Sequence, residues 1–342
     1  MSAMDTSKDK GKGKAPKKDT KPDNLPWVEK YRPKTLDDLV SHEDITSTIE
    51  MFIDAGRLPH LLFYGPPGTG KTSTILACAR KIYGEKFKSM ILELNASDDR
   101  GIDVVREQIK NFASMRTIWS TGFKLIILDE ADSMTTAAQA ALRRVIEKYT
   151  KNVRFCIICN YVSKIIPAIQ SRCTRFRFSP LELEQVDKRL DYIIHNESVK
   201  ITPEGKQALL TLSKGDMRRA LNILQACHAA YDLVDEAAIY NCTGHPQPQD
   251  IQRIVDWLNN QEFSTALSNI ERLQRDAGLA VQDILAEVYQ HCQELDIADD
   301  MRIRIYESLA DIEYRLAEGA SEKLQLGAIV GTFKLGLLDA KA

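Results

Sequence analysis

The chain has 342 residues, enough for two or three domains with a full core. Its 44% hydrophobic and 27% charged residues are ordinary globular composition, which excludes a wholly disordered, collagenous or disulfide-stapled class. Seven cysteines, an odd number in a long chain, point to a reducing compartment, and no apolar run approaches membrane-spanning length.

The net charge of −2 hides an uneven distribution. Between Arg143 and Arg177 nine Lys/Arg face a single acidic residue, Glu147, whereas from Gly244 to Ala342 there are 17 Asp/Glu against nine Lys/Arg. Such asymmetry hints that one face meets a polyanion.

Residues 1–24 hold seven Lys and four Asp with almost nothing to bury, and read as a disordered tail. The tail has no apolar core segment, so it is not a secretory signal; Lys17-Lys18 and their neighbours are a candidate import signal. From Leu25 the pattern becomes α/β. The runs 60–64, 90–94, 123–128 and 153–159 are short and apolar, as strands buried on both faces of a parallel sheet are. Helical stretches separate them: Ile102, Val105, Ile109 and Phe112 fall on one stripe that leaves out Arg106 and Lys110. Strand–helix alternation implies a doubly wound sheet over residues 25–180. After Pro180 the strand signals stop, and residues 181–243 read as a small helical unit with Leu209, Leu212, Leu221 and Leu224 in its core. Gly244-His-Pro-Gln-Pro248 punctuates the chain, and residues 244–342 are helical and acidic.

The first chemistry-bearing motif is Gly65-Pro66-Pro67-Gly68-Thr69-Gly70-Lys71-Thr72, which follows a predicted strand and precedes a predicted helix opened by Ser73. Glycines let the backbone wrap phosphates and aim its N–H groups at them. Lys71 reaches the β/γ-phosphates of ATP, the Thr72 hydroxyl ligates Mg²⁺, and the helix N-terminus adds a favourable dipole. The apolar strand Leu125–Leu128 ends in Asp129-Glu130. Asp129 is suited to hold Mg²⁺ through its water shell, and Glu130 to polarise the attacking water.

Two other labels are rejected. Asp129-Glu-Ala-Asp132 invites a helicase reading, but such enzymes need two motor domains and one phosphate loop is visible. Cys156 and Cys159 form a C-x-x-C, yet a separation of three in a strand puts them on opposite faces, and no second pair follows at finger spacing.

Several motifs occur in order: Trp27-Val-Glu-Lys-Tyr-Arg-Pro33, the phosphate loop, Glu93-Leu-Asn-Ala-Ser-Asp-Asp-Arg100, the Asp-Glu-Ala-Asp box, Ala138-Gln-Ala-Ala-Leu-Arg-Arg144, Cys159-Asn160, Ser171-Arg-Cys173 and Gly215-Asp-Met-Arg-Arg219. Together they resemble the small subunits of replication factor C, the eukaryotic clamp loader, an AAA+ ATPase. The resemblance implies an AAA+ parallel-sheet module (25–180), a helical lid (181–243) and an all-α collar (244–342) that joins a hetero-pentameric ring. It implies a nuclear protein whose ring opens the sliding clamp PCNA with ATP and loads it on primer–template DNA without sequence preference.

Residue roles follow from the same resemblance. Val28 and Arg32 match adenine-side contacts, with Val40 closing the pocket. Asn160 matches the first sensor and Arg218 the second, with Arg219 the weaker candidate. Arg172 matches the arginine finger, acting in trans on a neighbour's ATP. Arg100 and Arg106, with Arg175 as a weaker third, match positions that track the DNA backbone. Two alternatives stay open: an ATP-binding structural subunit acting mainly through its arginine finger, and another AAA+ DNA motor.

Overall fold

The computed structural model describes residues 25–36, 38–39, 41–97, 102–114, 122–294 and 299–339. The Lys-rich tail with its candidate import signal, Val40 and Arg100 lie outside the described residues.

A short helix α1 (Trp27–Lys30) and helix α2 (Glu43–Asp54) precede strand β1 (Leu61–Tyr64). There follow α3 (Lys71–Tyr83), α4 (Phe87–Met90), β2 (Ile91–Asn95), α5 (Ile102–Ser114), β3 (Lys124–Asp129), α6 (Thr136–Tyr149), β4 (Val153–Cys159), α7 (Pro167–Gln170) and β5 (Thr174–Arg177). The five strands form one parallel sheet in the order β2-β3-β4-β1-β5. Strand periodicity sorts the side chains to two faces. On one, Leu62, Ile126, Leu128, Phe155 and Ile157 pack under Ile109 of α5 and Leu142 and Ile146 of α6. On the other, Leu61, Phe63, Leu125, Ile127 and Ile158 pack under Ile49 of α2 and Ile75 and Cys78 of α3. Cys156 belongs to the second cluster and Cys159 to the first, so the two thiols point to opposite faces. Burial pushes the Cys159 thiol up to about 12, so it stays protonated at neutral pH.

Strand β5 has no counterpart among the four expected runs. It is an edge strand paired only to β1, with Phe176 packed inward and Arg175 and Arg177 exposed. Its Thr-Arg-Phe-Arg alternation is the signature of a half-exposed strand, which a search for continuous apolar runs passes over.

Helices α8 (Leu183–Glu197), α9 (Pro203–Ser213), α10 (Met217–Ala230) and α11 (Glu236–Thr243) enclose a second core. The starts of α9, α10 and α11 are chemically specified. Thr202 caps α9 ahead of Pro203, Asp216 caps α10 through the N–H groups of Arg218 and Arg219, and Asp235 caps α11. Trp27 and Tyr31 are buried in this helical core rather than against the sheet. The third core is formed by α12 (Pro248–Asn260), α13 (Phe263–Ala277), α14 (Val281–Glu294), α15 (Asp299–Ala317) and α16 (Glu322–Asp339), with Leu258, Ile284, Leu309, Ile329 and Phe333 among its buried residues. Among the described residues no helix is long and apolar enough to cross a membrane.

His60 joins β1 to its neighbour. It is buried, and its Nδ1 accepts a hydrogen bond from the Phe155 N–H at 3.1 Å. Burial, with the Arg154 charge adding, pushes its pKa down to about 4 from the ordinary 6.5. The unfolded chain therefore takes up a proton on this imidazole before the folded one does. The stabilisation is fully present above about pH 6.5 and is lost as pH falls toward 4, by about 3 kcal/mol in total. Urea unfolding of His60→Asn, which keeps an acceptor for Phe155, should show a shallower loss of stability between pH 6.5 and 4 than the native chain. Parallel curves would show that His60 does not titrate in this window.

Candidate functional site: a nucleotide pocket between sheet and lid

Parallel strands end with their C-termini on one edge, and the loops leaving that edge build the pocket. The loop after β1 is shaped by two glycines. Gly65 has φ 142°, and a Cβ there would sit 2.0 Å from the Phe178 carbonyl oxygen. Gly68 has φ 72°, and a Cβ there would meet the Asp216 carboxylate at 1.7 Å. Backbone conformation and close approach thus both demand glycine. Gly70, with φ 92°, turns the chain into α3, whose first residues are Lys71 and Thr72.

The Lys71 ammonium is nearly buried. It donates to the carbonyls of Gly65 (2.8 Å) and Pro66 (2.7 Å) and to Asn160 Oδ1 (3.1 Å). Burial lowers its pKa; the Asp129 carboxylate opposes this and the Arg218 guanidinium adds to it. The Thr72 hydroxyl donates to Asp129 Oδ2 at 2.7 Å, bringing the two expected magnesium ligands together. The other oxygen of Asp129 accepts the Glu130 N–H at 2.9 Å, and Glu130 itself adopts φ 53°, which turns its side chain out of the β3 line. Asp132 Oδ2 accepts the N–H groups of both Asn160 and Tyr161 at 3.2 Å, fixing the end of β4 beside the end of β3.

One cavity collects most of the residues singled out from the sequence. Val28, Arg32, Pro67, Gly68, Thr69, Gly70, Lys71, Thr72, Ser73, Asp129, Glu130, Asn160 and Arg218 all line it. Gly65 and Pro66 stand behind it as acceptors for Lys71. Arg219 is not among the lining residues.

Other residues lie elsewhere. Arg172 is outside the pocket, donating to Glu147 (2.5 Å) and to the Ala168 carbonyl (2.6 Å). Arg175 is exposed on β5. The backbone of Arg106 belongs to α5.

The cavity wall also contains residues not expected at a site: Leu181, Gln185, Arg189, Met217 and Leu221 (expected only as core) from residues 181–243, and Tyr31, Leu39 and Ser41. Tyr31 and Met217 lie inside quoted motifs but carry no phosphate- or metal-binding chemistry of their own, and no local motif marks the others. Gln185 and Arg189 only show themselves as a pair once α8, with Val186, Leu190 and Ile193 facing inward, is docked on its core.

Comparison with known proteins agrees with this architecture. Residues 61–181 match the family described as "ATPase family associated with various cellular activities (AAA)", and residues 246–332 match "Replication factor C C-terminal domain". The chain is 60% identical to replication factor C subunit 3 of Schizosaccharomyces pombe, over 96% of this chain and 97% of the relative. It is 59% identical to human replication factor C subunit 5 (92% and 93%), and 50% identical to subunit 3 of Saccharomyces cerevisiae (91% and 94%). Among solved structures, the Holliday junction branch migration motor RuvB of Thermotoga maritima superposes with a TM-score of 0.50 over 70% of this chain and 85% of its own. At 14% identity that likeness is one of fold. The chain therefore belongs to the replication factor C family, as an AAA+ ATPase and small subunit on the branch called subunit 3 in yeasts and subunit 5 in human, assembling with the other subunits of that complex.

Proposed function

We propose that this chain binds ATP with Mg²⁺ in the pocket described above, and that its ring uses the binding to open the sliding clamp PCNA and load it onto primer–template DNA in the nucleus. The observation that carries the reading is the convergence of Lys71, Thr72, Asp129, Glu130, Asn160 and Arg218 on one cavity. The proposed division of labour follows the three cores: an AAA+ module over 25–180, a lid over 181–243 and a collar over 244–342, preceded by a tail over 1–24.

The donor set fits Mg²⁺. One hydroxyl and one carboxylate at 2.7 Å are hard oxygen ligands, and so few protein ligands suit an ion that keeps waters and takes phosphate oxygens. Bound there, Mg²⁺ would neutralise charge on the β- and γ-phosphates. The chain's own groups do the rest. The loop N–H groups and Lys71 hold the phosphates, with phosphate oxygens replacing the Gly65 and Pro66 carbonyls as partners of the ammonium. Glu130 accepts a proton from the lytic water, and Asn160, fixed by Asp132, orients that water. Arg218 brings a lid cation to the γ-phosphate, so closing the lid completes the site. Val28 and Arg32 flank the base.

Arg172 lies outside this chain's own pocket, which supports a role at the neighbouring subunit's ATP. For DNA, the candidates are Arg100 and Arg106, with Arg175 the weaker third. Phosphate contacts of this kind give affinity without sequence preference. Arg100→Ala combined with Arg106→Ala should weaken DNA binding by the assembled ring equally on unrelated sequences. The slope of log affinity against log salt should fall by roughly one per residue. An unchanged slope would show that these arginines do not contact the duplex.

A further inference from the structure

The segment that flanks the base end of the pocket is mounted on the lid. Four hydrogen bonds and ion pairs tie it to α8 and α10. The Trp27 N–H donates to Gln225 Oε1 at 2.9 Å, and Lys30 Nζ lies 2.6 Å from Glu197. The buried Tyr31 hydroxyl donates to the same Glu197 carboxylate. Arg189 Nη2 donates to the Tyr31 carbonyl at 3.0 Å. Burial would raise the Glu197 carboxyl, but the Lys30 and Tyr31 hydrogen bonds outweigh it, so it stays ionised as their common acceptor.

Of the α8 and α10 partners in these ties, Arg189 is the one that also lines the cavity. Helix α1 has only four residues and is followed by Tyr31 as its C-cap, so the carbonyls at this end lack intrahelical partners. The Arg189 fork supplies one. Its planar group is held in turn over the Tyr192 ring, 5.1 Å from the centroid. The peptide it grips is the one that leads into Arg32, so the direction of Arg32 is set from α8. Arg218, on α10 of the same helical core, lines the cavity too.

We propose that Arg189 is a positioning residue for nucleoside recognition: by tying the end of α1 to α8 it makes the base-flanking wall a part of the lid. Base and γ-phosphate are then sensed by one body, and a nucleotide docked at the base end brings Arg218 with it. The inference rests on the reading that this pocket binds ATP with its base beside Val28 and Arg32.

The test uses the full chain in a ring where only its site hydrolyses ATP. Arg189→Met keeps the packing length and removes the donors; Arg189→Lys keeps a charge and one donor. KM for ATP should rise about tenfold in Arg189→Met, the scale of one charge-assisted hydrogen bond, with kcat unchanged. Arg189→Lys should recover part of that loss. The proposal is overturned if KM is unchanged in Arg189→Met, or if kcat falls while KM stays, or if Arg189→Lys is no better than Arg189→Met. The underlying reading fails separately, and visibly, if Lys71→Ala leaves ATP affinity of the isolated chain unaltered.

Discussion

Glu130→Gln is expected to leave ATP binding intact and to slow hydrolysis at this chain's site by on the order of 10²–10⁴-fold. The amide keeps the volume and the pocket position of the carboxylate but cannot take a proton from water. The loop's own contacts do not use the Glu130 side chain: the groups proposed to hold phosphate are Lys71, Thr72 and the loop backbone, and the Asp129 contact is made by the Glu130 N–H. The measurement is single-turnover hydrolysis in a ring whose other sites are disabled, alongside nucleotide affinity. A rate within a factor of two of the native chain would remove Glu130 from the catalytic role and leave the chain as a binding subunit.

The second large effect belongs to Arg172. Arg172→Ala should leave ATP affinity of the isolated chain unchanged and slow hydrolysis at the adjacent subunit's site by on the order of 10³-fold or more. A cation reaching a transferring phosphoryl group stabilises charge spread over its oxygens, and an alanine leaves that charge uncompensated. In the free chain the guanidinium is engaged by Glu147 and the Ala168 carbonyl, so its charge is held at the surface rather than over its own phosphate loop. Arg172→Lys should rescue poorly, because the fork geometry is lost even though the charge is kept. A ring in which only the adjacent site is active isolates the effect. Hydrolysis there at the native rate would make Arg172 an ordinary surface arginine.

The parts of this site that sequence exposes are those with short-range rules. A phosphate loop needs glycines at fixed offsets from Lys71, and a carboxylate pair at a strand end needs an apolar run before it. Both are contiguous, and both are where the chain pattern puts them. The doubly wound sheet is legible for the same reason, since strands buried on two faces cannot avoid looking apolar. Strand β5 is hidden because its wet face carries Arg175 and Arg177, which dilute its signal, whereas β2 at the opposite edge keeps Ile91, Leu92 and Leu94 and stays visible. The base-end wall is hidden for a different reason. Tyr31 meets Glu197 and Arg189 across more than 150 positions of chain, and no local pattern encodes that contact. Trp27 likewise sits in a motif ahead of the sheet yet is packed in the core of α8–α11. Arg172 is visible only as one basic residue among several, and its role came from resemblance alone.

The bond from Trp27 to Gln225 spans 198 positions, and the whole sheet lies between its ends. During synthesis the strands and their covering helices emerge well before α10, so the sheet can assemble while Trp27 and Tyr31 still have no core to enter. Closing so long a loop is entropically costly and slow relative to local pairing. The Trp27–Arg32 segment should consequently dock late, after both flanking units have formed. The cavity wall that Val28, Tyr31 and Arg32 contribute is therefore completed only in the finished fold.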